Sequence, residues 1–187
     1  MTRFDVHTQD SAPLAARPLL EGAKQAFGFV PNLIGILAEA PATAEAYLAL
    51  GKILGKTSLS PVEQQVVLIT TSVHNGCSYC VAAHSVVADM LKAPVGVVDA
   101  LRRGTALPDP KLEALRRYTV TLIRTAGFLE EGDLDQFLAA GYTKAQALEV
   151  LVGIAMKTIS NYTNHVADTP LDPQFAGRAW EGSTAIV

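Results

Sequence analysis

Val62, Val66, Ile69 and Val73 recur at intervals of four, three and four residues, which places them on one face of an α-helix. Ser60-Pro61-x-Glu63 ahead of them supplies an N-cap, a proline in the first turn and a capping-box carboxylate, so this helix begins there and ends near His74. Asn75-Gly76 breaks it, and a second helix starts at residue 77, carries His84, Val87 and Leu91 along one side, and stops before Pro94. A short helix over Val97 to Arg103 closes at Gly104. Leu112, Leu115, Leu122 and Ile123 mark a helix from about Lys111 to Ala126, and Leu134, Phe137 and Leu138 a shorter one closed by Gly141. Thr143-x-x-Gln146 is a second capping box, opening a long helix to about His165. Only Glu149 and Lys157 are charged in its body, which predicts the central, buried helix.

Upstream, Phe27 to Asn32 leads into an apolar helix that stops at Pro41, and another runs from about Ala42 to Leu54. The stretch from Pro170 to Val187 contains the only tryptophan, Trp180, and no sustained period; it reads as an arm packed on the body or on a neighbouring subunit. The pattern predicts an all-α chain forming one domain over residues 1–187, with a core at about 20–170 and a C-terminal arm at 171–187. Pro108 and Pro110 are the best candidate for a boundary between lobes.

Composition agrees with packed helices: 49% of the 187 residues are apolar and only 6% aromatic. A net charge of −3 offers no basic stripe, which argues against nucleic acid as a partner. The longest apolar stretch, Ala145 to Ala155, is interrupted by Glu149 and followed by Lys157, so no membrane-spanning segment is expected. Residues 1–20 lack the continuous apolar run of a secretory signal, and a cytoplasmic location follows as the expectation.

That location bears on the only two cysteines, Cys77 and Cys80, which flank Ser78-Tyr79 and are followed by His84. At the start of a helix the dipole favours a thiolate, and Cys80 and His84 share a face as i and i+4. One nucleophilic thiol, one base and one resolving thiol are brought near one another. In a reducing cytosol a disulfide here is more readily transient and catalytic than structural. Three other readings stand beside it. Free cysteines can be small core residues. A staple across so short a loop removes little unfolded-chain entropy. His74-x2-Cys77-x2-Cys80-x3-His84 provides nitrogen and sulfur ligands for structural zinc, although Asn75-Gly76 interrupts the set and typical fingers separate their ligand pairs by a longer loop.

The run Glu63-Gln64-Gln65 through Asn75-Gly76-Cys77-Ser78-Tyr79-Cys80-Val81-Ala82-Ala83-His84 resembles the core of the AhpD-like alkylhydroperoxidases, within the carboxymuconolactone decarboxylase superfamily. Asp133 to Tyr142 and Ala147 to Asp172, with Asn161-Tyr162-Thr163-Asn164-His165 and Thr169-Pro170-Leu171-Asp172, are similar to its peroxidase-related branch. The resemblance implies an AhpD-like bundle of about seven to nine helices whose helix-turn-helix core carries the Cys-x-x-Cys motif. It implies a homo-oligomer (dimer, trimer or hexamer) that reduces peroxides, with no bound cofactor or metal and with an external dithiol or disulfide reductant protein as partner. In the family pattern the second cysteine, here Cys80, attacks the peroxide and the first, here Cys77, resolves the sulfenic acid, with His84 as base. A disulfide oxidoreductase or redox-sensing oligomer without peroxide turnover is the alternative. A zinc-bearing structural module is the third reading.

The chain departs from the family pattern at Gln65, where the well-studied branch has a glutamate in a proton relay with the histidine. An amide can orient an imidazole but cannot stabilise imidazolium as a carboxylate does. Glu63 is a substitute for that carboxylate, weighed against its simpler capping role. Asn161, Asn164 and His165 can line the pocket or satisfy the last carbonyls of their helix. Tyr79 is expected to point away from both cysteines, His74 to position the start of the following helix, and Lys157 to reach solvent along its stem or to be paired.

Overall fold

The structure is a computed structural model in which residues 4–182 are described. Its described residues form nine α-helices and one 3₁₀ helix. They are α1 (Arg17–Phe27), α2 (Asn32–Leu37), α3 (Pro41–Leu54), α4 (Pro61–His74), α5 (Ser78–Met90), α6 (Val97–Arg103), α7 (Pro110–Arg124), α8 (Asp133–Ala139) and α9 (Lys144–Ala167), then the 3₁₀ helix Pro173–Arg178. No helix among them is long and apolar enough to cross a membrane.

Helix α4 is the axis of the bundle. Both halves of its capping box are formed: Ser60 accepts from the Glu63 backbone N–H and Glu63 accepts from the Ser60 N–H. Every residue from Gln65 to Val73 is buried, so this helix is enclosed on all sides rather than along one stripe. Two of its polar residues, Thr71 and Ser72, are accommodated there by turning their hydroxyls back to the carbonyls of Val67 and Leu68, each at 2.8 Å. One apolar cluster joins Val66, Val67 and Ile69 to Leu112 and Leu115 of α7 and Val150 of α9. The other joins Leu68 to Leu20, Leu33, Tyr47 and Leu54, and it contains both cysteines.

Gly76, at φ +69°, lets the chain reverse between α4 and α5 and lays α5 along α4. On the far side α9 crosses α3 and α4. The crossing with α4 depends on Gly153, where an added Cβ would stand 2.7 Å from Cγ1 of Val67.

The last described segment lies across α5. Asp172 is buried and accepts from the Tyr79 hydroxyl and the Asn32 backbone N–H. Phe175 sits between Phe29 and Tyr79. Arg178 is ion-paired with Asp89 and Asp99, and the Trp180 indole donates to the Arg102 carbonyl. The expected arm packs on the body over this span; residues 183–187 of it lie outside the described residues.

Two expectations are corrected, and one helix was not foreseen. The central helix is α4, not α9: Leu148, Leu151, Tyr162 and Val166 of α9 are exposed, and that helix is poor in charge because it has an uncovered apolar stripe. Pro108 and Pro110 do not separate lobes, since α7 packs on α4 across them and Pro110 only opens α7 beside the cap Asp109. Helix α1 lies in a stretch where the polar–apolar pattern gave no helix, although Pro18 in its first turn and left-handed Gly28 at its end are helix punctuation.

Gly153→Ala gains about 1 kcal/mol of helix propensity but overpacks the α4–α9 contact at a cost of about 1–3 kcal/mol. The expected outcome is a lower melting temperature, recovered by Val67→Ala in the same chain; denaturant titration of the single and double variants checks it.

Candidate active site

Cys77 is the N-cap of α5, and Cys80 lies within its first turn. Both are free thiols and each is 1% exposed. Side chains from α9 close over them: Asn164 Nδ2 donates to the sulfurs of Cys80 at 3.3 Å and Cys77 at 3.5 Å, and Ser160 Oγ is 3.6 Å from the Cys80 sulfur. Lys157, with no exposed surface, places its Nζ 3.7 Å from Cys80 Sγ and 2.6 Å from His84 Nε2.

His84 is partly exposed at the edge of this group. Its Nδ1 is 2.9 Å from Gln65 Oε1, an atom that only accepts, so the ring hydrogen is on Nδ1. Nε2 then carries a lone pair and accepts from the lysine. The chain of contacts runs from Gln65 through His84 and Lys157 to Cys80.

The electrostatics separate the two thiols. Burial alone would raise Cys80, but the Cys77 thiol, Lys157, Ser160 and Asn161 outweigh it and bring Cys80 down to about 5. Cys77 goes the opposite way, because its S–H is hydrogen-bonded to Cys80 and because it is buried next to that negative sulfur. Burial and then the Lys157 charge push His84 well below its ordinary range, so the imidazole is neutral. Burial opposes the charge on Lys157, but its neighbours, Cys80 first among them, hold it above its ordinary value. The resting site is a thiolate, a thiol, an ammonium and a neutral imidazole.

Cys77, Cys80, His84 and Gln65 are thus brought together. Glu63 is not at the site; it completes the α4 cap and pairs with Lys111 at 3.3 Å. Asn161, which also helps to lower Cys80, is buried, donating to Ser72 and accepting from Asn75, which ties α9 to the turn that presents the cysteines. His165 faces outward and is exposed, because one residue further round α9 than Asn164 is already the solvent face. Tyr79 points away from both sulfurs to Asp172. His74, the last residue of α4, is depressed by burial and by Arg124. Among the described residues no group of three or more His, Cys, Asp or Glu side chains is placed to hold a metal, so the string His74, Cys77, Cys80 and His84 does not form a ligand set.

The sequence reading missed the position of Lys157. Its signal was a lone cation in a helix body otherwise almost free of charge, eight residues before His165. Asn164 was expected only as one of several pocket candidates. Its Oδ1 is buried without a partner while its Nδ2 spans both sulfurs.

Residues 41–118, spanning α3 to the first half of α7, match the carboxymuconolactone decarboxylase family. A search of curated protein sequences finds no match. Among solved structures, the fold is similar to an AhpD-core peroxidase-related protein from Ralstonia eutropha JMP134, with TM-score 0.81 and 22% identity over 93% of this chain and 94% of that one. A peroxidase-related protein from Silicibacter sp. TM1040 follows at TM-score 0.79 and 19% identity, covering 95% of each chain. A variant of the debrominase Bmp8 in complex with 2,3,4-tribromopyrrole gives TM-score 0.77 and 20% identity over 95% of this chain and 96% of that one. The chain therefore has the AhpD-like all-α fold, and its residues 41–118 match the carboxymuconolactone decarboxylase family.

Proposed function

We propose that the chain is a thiol-dependent peroxidase in which Cys80 attacks the peroxide and Cys77 resolves the product. The observation that carries this reading is the asymmetry of the two buried thiols: Cys80 is held ionised and Cys77 protonated, within hydrogen-bonding reach of each other. A thiolate is the nucleophile, and the sulfenic acid it forms condenses with a neighbouring thiol to give a disulfide and water. The unpartnered Oδ1 of Asn164 supports a substrate with an O–H to donate, which a hydroperoxide has. An external dithiol restores the pair. The exposed apolar stripe of α9 supports the expectation of a homo-oligomer.

The likeness to a debrominase supports a second electrophile, since a thiolate can take an activated halogen as it takes a peroxide oxygen. The cysteine surroundings favour the smaller substrate: the groove of about 440 Å³ lies on the other side of α9, lined by Ile36, Thr158, Tyr162 and Val166, and neither cysteine borders it.

One equivalent of an organic hydroperoxide should consume both thiols of the reduced protein with loss of two hydrogens in the intact mass. Both thiols surviving unchanged would remove the reading. Cys80→Ser should abolish peroxide consumption with folding intact, whereas Cys77→Ser should stop after one turnover with the mass of one added oxygen atom. Asn164→Leu removes a hydrogen bond to a charged sulfur, a loss of about 1.5–3 kcal/mol, and should lower the second-order rate with peroxide about ten- to a hundredfold in stopped-flow measurements.

The pH profile follows from the depressed Cys80. Thiol alkylation should hold its rate as pH falls from neutral and drop only near pH 5, where the thiolate takes up a proton. The same group makes stability fall with acid: the folded thiolate is favoured over the unfolded thiol at and above the ordinary thiol range, and the advantage is lost as pH drops towards about 5. Depressed His84 acts in the same direction below its ordinary range, as the unfolded chain binds a proton that the folded chain refuses. Alkylation rates and melting temperatures across pH 5–9 test both signs.

A further inference from the structure

We infer that Lys157 is the proton carrier of this site, storing the Cys80 proton as an ammonium, delivering it to the leaving oxygen, and remaining as the amine that Cys77 needs as a base. This rests on the thiol-peroxidase reading for its second and third steps; the first stands apart from that reading.

An ammonium without exposed surface is costly unless an anion lies beside it. The groups that face Lys157 are Cys80, Cys77 and His84 from α5 and the ring of Tyr47 from α3 at 5.9 Å, and among the described residues no carboxylate is paired with it. Tyr47 is buried and stays a phenol, and Cys77 is a thiol. His84 cannot carry the positive charge in place of the lysine. Its Nε2 already accepts from Nζ at 2.6 Å, a proton there would set two cations against each other, and Gln65 on the other side brings no negative charge to compensate. The one anion available to Lys157 is Cys80, and the thiol proton resides on the amine. His84 is a positioning residue: Gln65 fixes its tautomer, and its lone pair aims the ammonium at the sulfur.

Attack then balances within the site. The Cys80 thiolate forms an S–O bond to the terminal oxygen of ROOH, and the O–O bond breaks. RO⁻ leaves with the electron pair and takes a proton from Lys157, giving Cys80–SOH, ROH and a neutral amine. Sulfur is oxidised by two electrons and the peroxide reduced by two. The amine next accepts the Cys77 proton as that sulfur attacks Cys80–SOH, and it passes the proton to the departing hydroxide, so disulfide and water form and the amine is left neutral. The buried site has no net charge in either state: thiolate with ammonium when reduced, disulfide with amine when oxidised. Reprotonation runs through His84, the member of the group with solvent access.

The experiment is a titration of thiolate ultraviolet absorbance against pH in the reduced wild-type chain, Lys157→Met and His84→Gln, with Cys80→Ser as blank. The expected result is a wild-type midpoint near pH 5. The methionine variant should have a midpoint in or above the ordinary thiol range, about a hundredfold less thiolate at neutral pH. His84→Gln should leave the midpoint in place while slowing turnover. Lys157→Met should melt no lower than wild type, since removing the lysine lets the sulfur neutralise itself, whereas a purely structural lysine would lower the melt and leave the titration alone. A midpoint unmoved by Lys157→Met, or raised by His84→Gln, overturns the assignment. Should the methionine variant not fold, nitrogen-15 spectra of the wild-type lysine side chains decide: one ammonium signal lost on oxidation supports the inference, and its persistence overturns it. The titration uses no peroxide, so a chain with the expected midpoints that consumes no hydroperoxide loses the peroxidase reading and keeps the lysine–thiolate pair.

Discussion

Lys157 lies in the middle of a helical core, fully buried, with its Nζ 3.7 Å from a cysteine sulfur and 2.6 Å from an imidazole. Taking an ammonium out of water costs several kcal/mol after relaxation, and the surroundings must return that through a nearby negative group. Much of the architecture can be read from this one constraint. Helix α9 has to approach α4 closely enough for the lysine to reach α5, and Gly153, one turn earlier, has no side chain to hold the helices apart. The amides of Gln65, Asn161 and Asn164 and the hydroxyls of Ser72 and Ser160 line the same interior, so the charged pair sits in a polar seam beside the apolar cluster that contains both cysteines.

The seam also accounts for the different fates of two adjacent cysteines. They share a helix turn and a level of burial, yet one is pulled down and the other pushed up, because a hydrogen bond between two thiols can favour only one thiolate and the lysine sits beside Cys80. The C-terminal strap secures the other face of α5. Tyr79, which lies between the cysteines in sequence, is engaged by Asp172 and Phe175, which fixes the rotation of the helix and hence where the two sulfurs point.

The fold was largely legible in the chain. Two capping boxes, at Ser60 and Thr143, located the two principal helices to within a residue of their observed starts, since a side chain that satisfies orphan N–H groups is a local signal. Asn75-Gly76 marked the reversal for the same reason, as left-handed backbone favours glycine. Relative burial was not local. A helix with few charges was expected at the centre, but α9 is poor in charge partly because it has an uncovered apolar stripe, while α4, with glutamate and glutamines in its first turns, is the enclosed one.

By itself the sequence determined which residues share a turn: Cys77 with Cys80, Cys80 with His84, and the departure at Gln65. Those relations are set by the 3.6-residue period, which needs no partner helix. Only the tertiary structure decided what faces them. Lys157 and Asn164 are separated from Cys80 by 77 and 84 residues, and no pattern along the chain encodes that contact. It is set by how α9 packs across α3, α4 and α5, which depends on side chains contributed by several helices at once.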